Sequence, residues 1–375
     1  LVKRKRLIID LPLDPSNHSL NKWQDNSMKS RSRWWCWGCL GSAIAISMAI
    51  STPTVASVPT PTPQPAQPTP TPSGLTISNA TYRGWPNAWR LQNDQIEVWV
   101  VPAIGRVIQF RFRNGEDLFW ENEQLRGTFP RPQSEEWANF GGDKVWPAPQ
   151  ADWPTITGRA WPPPAGFDAT PMTVKVQQTG IRLTSGIDPS YGIQVDRFIA
   201  IDPQRPVMHI TTTYSKIQGE PKTVSIWTVT QLRSPLIMYA PLPETSRFPL
   251  GYIPLSDGLP ANLNIQDRLL SLTRSTTNDR KIGFESRELL WVGQDTMVHI
   301  STPDLQAGTY PDGGSSAEIY TNSDPAAYVE LELLSPLQQL RIGESIKFFS
   351  TYTLIRRSHS NPEQDARAIL GRSNY

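Results

Sequence analysis

From residue 75 onward, apolar and polar residues alternate with a period of two. Residues 95–100 read Gln-Ile-Glu-Val-Trp-Val, and residues 107–112 read Val-Ile-Gln-Phe-Arg-Phe, which sets Ile108, Phe110 and Phe112 on one face. Similar runs recur at 172–176, 181–184, 193–201, 207–214, 223–229, 281–284, 289–292, 297–300, 318–320, 328–334 and 346–354. Turn signals such as Asp188-Pro189, Asp202-Pro203 and Asp312-Gly313-Gly314 separate them. Many short strands with scarcely any helical pattern predict an all-β sandwich or barrel. Only 362–370, in a tail over 359–375, has the pattern of a helix. No repeat of fixed period is present, which disfavours a propeller, so the strand text over 75–358 is read as one large antiparallel β domain.

The N-terminal part follows different rules. At 58–74 the chain is Thr-Pro text, with Pro59, Pro61, Pro63, Pro65, Pro68, Pro70 and Pro72 fixing φ and removing amide donors. This predicts a disordered, extended linker. Residues 28–57 have the order of a secretory signal: the basic Lys29, Arg31 and Arg33, an uncharged stretch over 34–50, then Thr-Val-Ala-Ser at 54–57. Uncleaved, the same stretch would be a signal anchor, the one expected contact with a membrane. Residues 1–27 form a polar leader that a signal does not need, consistent with a start assigned too far upstream.

Composition adds three constraints. Both cysteines, Cys36 and Cys39, lie within the signal, so the exported domain is expected to hold neither thiol nor disulfide. Setting aside the 8 Lys and Arg and the 3 Asp and Glu of residues 1–57 from totals of 36 and 34 changes the formal net charge from +2 to −3. A nucleic-acid partner is therefore not expected. No His, Cys and Asp cluster has metal-ligand spacing and no cofactor motif is present, so neither a metal nor a cofactor is expected.

Candidate chemistry concentrates at 137–167, where four tryptophans and six prolines accompany Asn139, Asp143, Lys144, Gln150 and Arg159. Prolines at this density predict an irregular, rigid loop presenting flat aromatic faces. Such faces stack on the C–H faces of sugars while amide and charged groups satisfy hydroxyls, so Trp146 and Trp161 with these polar residues are candidate saccharide ligands. The alternative is that the tryptophans staple the loop over the sandwich. Gly141-Gly142 lacks the Gly-Lys-Ser continuation of a phosphate loop.

The block Asn-Phe-Gly-Gly-Asp-Lys-Val-Trp-Pro-Ala-Pro-Gln at 139–150 resembles the signature of the family catalogued as domain of unknown function 4380. The blocks at 82–87, 226–231, 310–314 with 318–320, and 328–336 fit it too, so the resemblance runs from about Tyr82 to Arg356. It implies the galactose-mutarotase supersandwich, in which two large antiparallel sheets leave a ligand cleft on a concave face. Relatives with that fold include sugar epimerases, polysaccharide lyases and non-catalytic modules, among which fold alone does not choose. Mutarotase chemistry typically uses a Glu base and a His acid on facing strands. Here the histidines are His18, His209, His299 and His359, and the strand at 226–231 carries Trp227, Thr228 and Gln231 where an epimerase-like His is sought. Glu330 and Glu332 alternate with Val329, Leu331 and Leu333, so both carboxylates share one face.

The expectation is thus an exported, monomeric, carbohydrate-binding domain in the periplasm, cell envelope or medium, with Trp227 and Gln231 joining the ligand set. The alternatives are an epimerase or lyase, with Glu332 or Glu318 as base and Lys144 or His209 as its partner, and an envelope structural or interaction protein.

Overall fold

The computed structural model describes residues 74–132, 136–303 and 305–371. The expected leader and signal, and the linker up to residue 73, lie outside the described residues. In chain order the strands begin with β1 (Thr76–Tyr82), β2 (Trp85–Gln92), β3 (Ile96–Val101), β4 (Arg106–Phe112), β5 (Asp143–Ala148), β6 (Thr173–Gln177) and β7 (Gly180–Ile187). They continue with β8 (Ile193–Ile201), β9 (Val207–Lys216), β10 (Lys222–Arg233), β11 (Ile237–Pro241), β12 (Ile253–Pro254), β13 (Ala261–Gln266) and β14 (Leu269–Thr273). The last are β15 (Arg280–Phe284), β16 (Glu288–Val292), β17 (Thr296–Ser301), β18 (Ala317–Thr321), β19 (Tyr328–Leu334), β20 (Gln338–Leu340) and β21 (Ser345–Arg356). Short helices α1 (Trp153–Thr157) and α2 (Ala165–Asp168) follow β5, and α3 (Pro362–Leu370) follows β21.

These strands form two antiparallel sheets. The larger has eleven strands in the order β1-β2-β3-β4-β5-β10-β19-β18-β15-β12, with β20 on the end of β10. The smaller has ten, in the order β13-β14-β11-β16-β17-β21-β9-β8-β7-β6. The inward rows of β8 (Ile193, Val195, Ile199, Ile201) and β21 (Phe348, Tyr352, Leu354) share one apolar core with Val145, Ile226, Leu331 and Ile319 of the larger sheet. Burial distinguishes the sheets. Along β8 it alternates strictly, as a sheet with one wet face requires, whereas every residue of β5 and β19 is buried, so the centre of the larger sheet is covered on both faces.

The segment at 137–167 is not the irregular loop its prolines suggest. Asp143–Ala148 is a strand inside the larger sheet, paired with β10 along its length but with β4 only at Asp143 opposite Val107. At Pro147 the β4-side edge is therefore unpaired, and a missing amide there costs no ladder bond. Gly141 and Gly142 introduce this strand with φ of 92° and 69°. A Cβ at Gly141 would lie 2.0 Å from the Trp120 carbonyl oxygen, and one at Gly142 2.5 Å from that of Val107. The pair serves close backbone packing. Strands β11 to β14 also escaped the sequence reading, because β11 is buried along most of its length and β13 is a largely exposed polar edge, so neither alternates clearly.

One ionic group lies within the core. Asp143, fully buried, pairs with the fully buried Arg197 of β8 and accepts from Tyr352 Oη at 2.7 Å and Thr230 Oγ1 at 2.9 Å. It thereby ties β5 and β10 of one sheet to β8 and β21 of the other. Breaking a buried pair strands a charge out of water. Arg197→Met is expected to cost about 3–5 kcal/mol in urea unfolding. The double variant Asp143→Leu/Arg197→Met should recover most of that loss; if it unfolds as readily as the single variant, the pair does more than neutralise charge.

Candidate functional site

The pleat and register of the larger sheet assemble a second polar group on its outer face, the one turned away from the smaller sheet. Lys144 follows the inward Asp143 and so points outward. It stands opposite Val229, which stands opposite Glu332, which stands opposite Glu318. A neighbouring row runs Gln231, Glu330, Tyr320, Lys281, and another pairs Trp146 with Trp227. Five consecutive strands, β5, β10, β19, β18 and β15, therefore deliver two lysines, three glutamates, a glutamine and two indoles to one surface.

Nearly all of these groups are buried. Lys144 Nζ lies 3.4 Å from Glu330 Oε1, which also accepts from Gln231 Nε2 at 2.8 Å. Lys281 Nζ bridges Glu318 at 2.5 Å and Glu332 at 2.9 Å, and Trp227 Nε1 donates to Glu332 at 2.5 Å. Each ammonium also sits against an indole, Lys144 at 4.8 Å from Trp146 and Lys281 at 4.3 Å from Trp227. Lys281 is the least enclosed of the charged groups in this cluster, with 17% of its side chain exposed.

Desolvation sets the proton affinities. Burial pushes Lys144 down to about 8 although Glu330 opposes the shift, and burial likewise raises Glu330 against the pull of Lys144. At Lys281 burial again disfavours the charge, but Glu318 and Glu332 together outweigh it and hold the ammonium above its usual range. Glu318 is raised well above the carboxylate range, first by burial and then by the neighbouring Glu332, with Lys281 opposing. Asp312 is also raised, mainly by burial. Among the described residues, the buried Glu332 Oε1, Gln231 Oε1 and both carboxyl oxygens of Glu318 accept no hydrogen bond, Lys281 meeting Glu318 as an ion pair.

A tryptophan cluster flanks this face. Trp146 meets Trp227, Trp137 and Trp161 edge to face with centroids 5.3, 5.7 and 5.9 Å apart, and Trp153 stacks on Trp161 at 6.1 Å. Each such contact is worth about 0.5–1.5 kcal/mol beyond burial. Trp146 and Trp227 are consequently buried packing groups rather than open platforms; Trp161 remains 43% exposed. Asp168 at the end of α2 accepts from both Trp146 Nε1 (2.9 Å) and Trp137 Nε1 (2.8 Å), and from the buried Arg106 at 2.7 Å. Beyond Trp137 opens a recess of about 730 Å³, bounded by Phe129, Arg131, Asn139, Arg159, Pro162 and Asp168 among others.

The sequence-derived candidates separate accordingly. Glu318, Glu332, Lys144, Trp146, Trp227 and Gln231 meet on the outer face, while Asn139 and Arg159 border the recess. Asp143 faces the inter-sheet core and is committed there. Gln150 is exposed at the start of a 3₁₀ turn. His209 lies in β9 of the smaller sheet, on its solvent side, 3.2 Å from Thr351 Oγ1, and cannot partner Glu332. Lys144, expected on a loop, is instead buried in a strand. Sequence reasoning missed Lys281 and Asp168. Lys281 begins an alternating run, which was the available signal; Asp168 had none. Among the described residues no group of three or more His, Cys, Asp and Glu is arranged to hold a metal, and no helix is long and apolar enough to cross a membrane.

No family model and no curated protein matches the chain. Solved structures do. A candidate aldose 1-epimerase from Klebsiella pneumoniae subsp. pneumoniae is 13% identical, with a TM-score of 0.53 over 80% of this chain and 88% of that one. A galactose mutarotase-like protein from Lactobacillus casei is 9% identical, with a TM-score of 0.47 over 72% of this chain and 100% of that one. A TPR-domain containing protein from Parabacteroides distasonis is 13% identical, with a TM-score of 0.47 over 71% of this chain; the chain spans 46% of that protein's length. At these identities the likeness concerns fold, and the two-sheet antiparallel sandwich described above is the galactose-mutarotase-like fold.

Proposed function

We propose that the protein is an exported saccharide-binding domain whose ligand is held at the outer face of the larger sheet. One observation carries this reading: Glu332 Oε1, Gln231 Oε1 and both carboxyl oxygens of Glu318 are buried acceptors without a hydrogen-bond donor among the described residues. Buried acceptors left unpaired cost free energy, and a ligand rich in hydroxyl donors removes that cost. Lys281 supplies a complementary donor, and the partly open Trp161 offers an apolar face at the edge. The fold shared with a candidate aldose 1-epimerase supports the same class of ligand. The block at 139–150 supports membership of the domain of unknown function 4380 family, and residues 28–57 support export.

A second reading, proton transfer on a sugar as in an epimerase or lyase, is favoured by the contrast between two adjacent carboxyls. Burial raises Glu318 toward the protonated form that an acid needs, while Glu332 takes hydrogen bonds from Trp227 and Lys281. Here Glu332 is the base and Glu318 the acid, and no histidine takes part.

Calorimetric titration of the purified protein against a panel of neutral and acidic saccharides tests the first reading. Glu332→Gln is expected to weaken the tightest ligand at least about tenfold. Unchanged affinity would remove Glu332 from the site. NMR of the bound sugar separates the readings: an unaltered sugar supports binding alone, whereas interconversion lost in Glu332→Gln supports chemistry.

The raised Glu318 also predicts a pH dependence. Its proton is kept in the folded chain at pH values where the unfolded chain has lost it, so its contribution to stability is whole below the unfolded carboxylate pKa and falls as pH rises toward the folded value. Glu318→Gln should accordingly be more stable than the parent at pH 7.5, with a smaller advantage at pH 4.5, in urea unfolding at both pH values. An advantage independent of pH would mean that Glu318 is ionised in the fold.

A further inference from the structure

Resting on the saccharide reading above, we propose that the ligand is an acidic sugar, and that the recess beside Trp137 is the subsite for its anionic group, with Arg159 and Arg131 as the recognising residues. The recess is distinct from the carboxylate–lysine face. Its volume of about 730 Å³ suits one or two sugar rings, and Trp137 and Asp168 form the wall between the two.

Charge in this recess is unbalanced. Arg131 and Arg159 both line it, and among the described residues neither guanidinium has a carboxylate partner, in a molecule whose arginines are otherwise mostly paired. Asp168 does not offset them, because Arg106 at 2.7 Å and two indole N–H groups already occupy it. Glu136 is the other acid on the lining, so the guanidiniums leave an excess of positive charge. A guanidinium is built for bidentate contact with a planar or tetrahedral oxyanion, which a carboxylate or sulfate on a sugar provides.

Two further features select a sugar over a simple anion. The buried Asn139 Oδ1 has no donor among the described residues, so it is free to accept from a ring hydroxyl. Trp137 and Pro162 supply apolar surface on the same lining, suited to the C–H face of a pyranose. Two cations, one unfilled acceptor and an indole in a single recess match a hexuronate or a sulfated hexose, and match neither a neutral glycan nor inorganic phosphate as well.

The test is titration calorimetry of the full chain with a tetragalacturonate, its fully methyl-esterified counterpart, a sulfated galactan oligomer of similar length and inorganic phosphate. The inference expects the tetragalacturonate or the sulfated oligomer to bind about tenfold or more tightly than the ester, with the difference shrinking from 50 to 300 mM salt. Which of the two anions is preferred tells carboxylate from sulfate. Arg159→Gln should bring acid and ester to the same affinity, Arg159→Lys should keep part of the preference, and thermal melting of each variant verifies that the fold persists. Equal binding of acid and ester by the parent, or a preference untouched in both Arg159→Gln and Arg131→Gln, overturns the inference while leaving the saccharide reading intact. Phosphate binding as tightly as the oligomers overturns it in favour of a plain anion site. Silence toward every saccharide takes the underlying reading down with it.

Discussion

Asp143 and Lys144 are opposite charges on adjacent residues of one buried strand, and the pleat sends them to opposite faces. Asp143 must meet Arg197 across the sandwich, and Lys144 must meet Glu330 on the outer face, because a charge out of water without its partner costs several kcal/mol. A slip of one residue would reverse both and strand both. The register of β5 on β10 is thus fixed by electrostatics on its two sides at once. Through β10 and β19 that register also sets where Gln231, Glu332 and Glu318 stand.

Much of this architecture was legible in the sequence, and the limits have physical causes. β8, β9, β19 and β21 were read close to their observed bounds because at each position the side chain either faces the core or does not, giving a period of two or a plain β-branched and aliphatic run. β5 was hidden by its own composition. Pro147 and the glycines before it carry loop signals, and only the one-sided pairing of the strand makes them compatible with a sheet. The shared face of Glu330 and Glu332 followed from alternation, whereas its burial depended on segments distant in the chain. The same is true of the tryptophans: indoles grouped in sequence suggest a sugar platform, yet in space Trp146 and Trp227 spend their faces on one another and on lysines. Lys281 illustrates the converse, a residue unremarked in its own strand that becomes central because Glu318 of β18 and Glu332 of β19 both come within ion-pair distance of it.

The site combines features that usually exclude each other. It is buried enough to shift Lys144 down and Glu318 up, yet it adjoins a recess open to solvent. A low-dielectric polar cluster beside an accessible chamber gives a bound hydroxyl strong hydrogen bonds without competition from water. Among the described residues this face carries no histidine, and its shifted groups are the carboxyls Glu318 and Glu330, raised, and Lys144, lowered, each chiefly by burial.

Asp168 has a consequence for how the two halves of this region communicate. One carboxylate holds the N–H groups of Trp137, which borders the recess, and of Trp146, which lies over Lys144. Occupancy on one side cannot displace its indole without altering the hydrogen bond that steadies the other. Thermodynamic linkage makes that influence mutual: whatever a guest in the chamber does to the sheet-face cluster, a guest on the sheet face does to the chamber in equal measure.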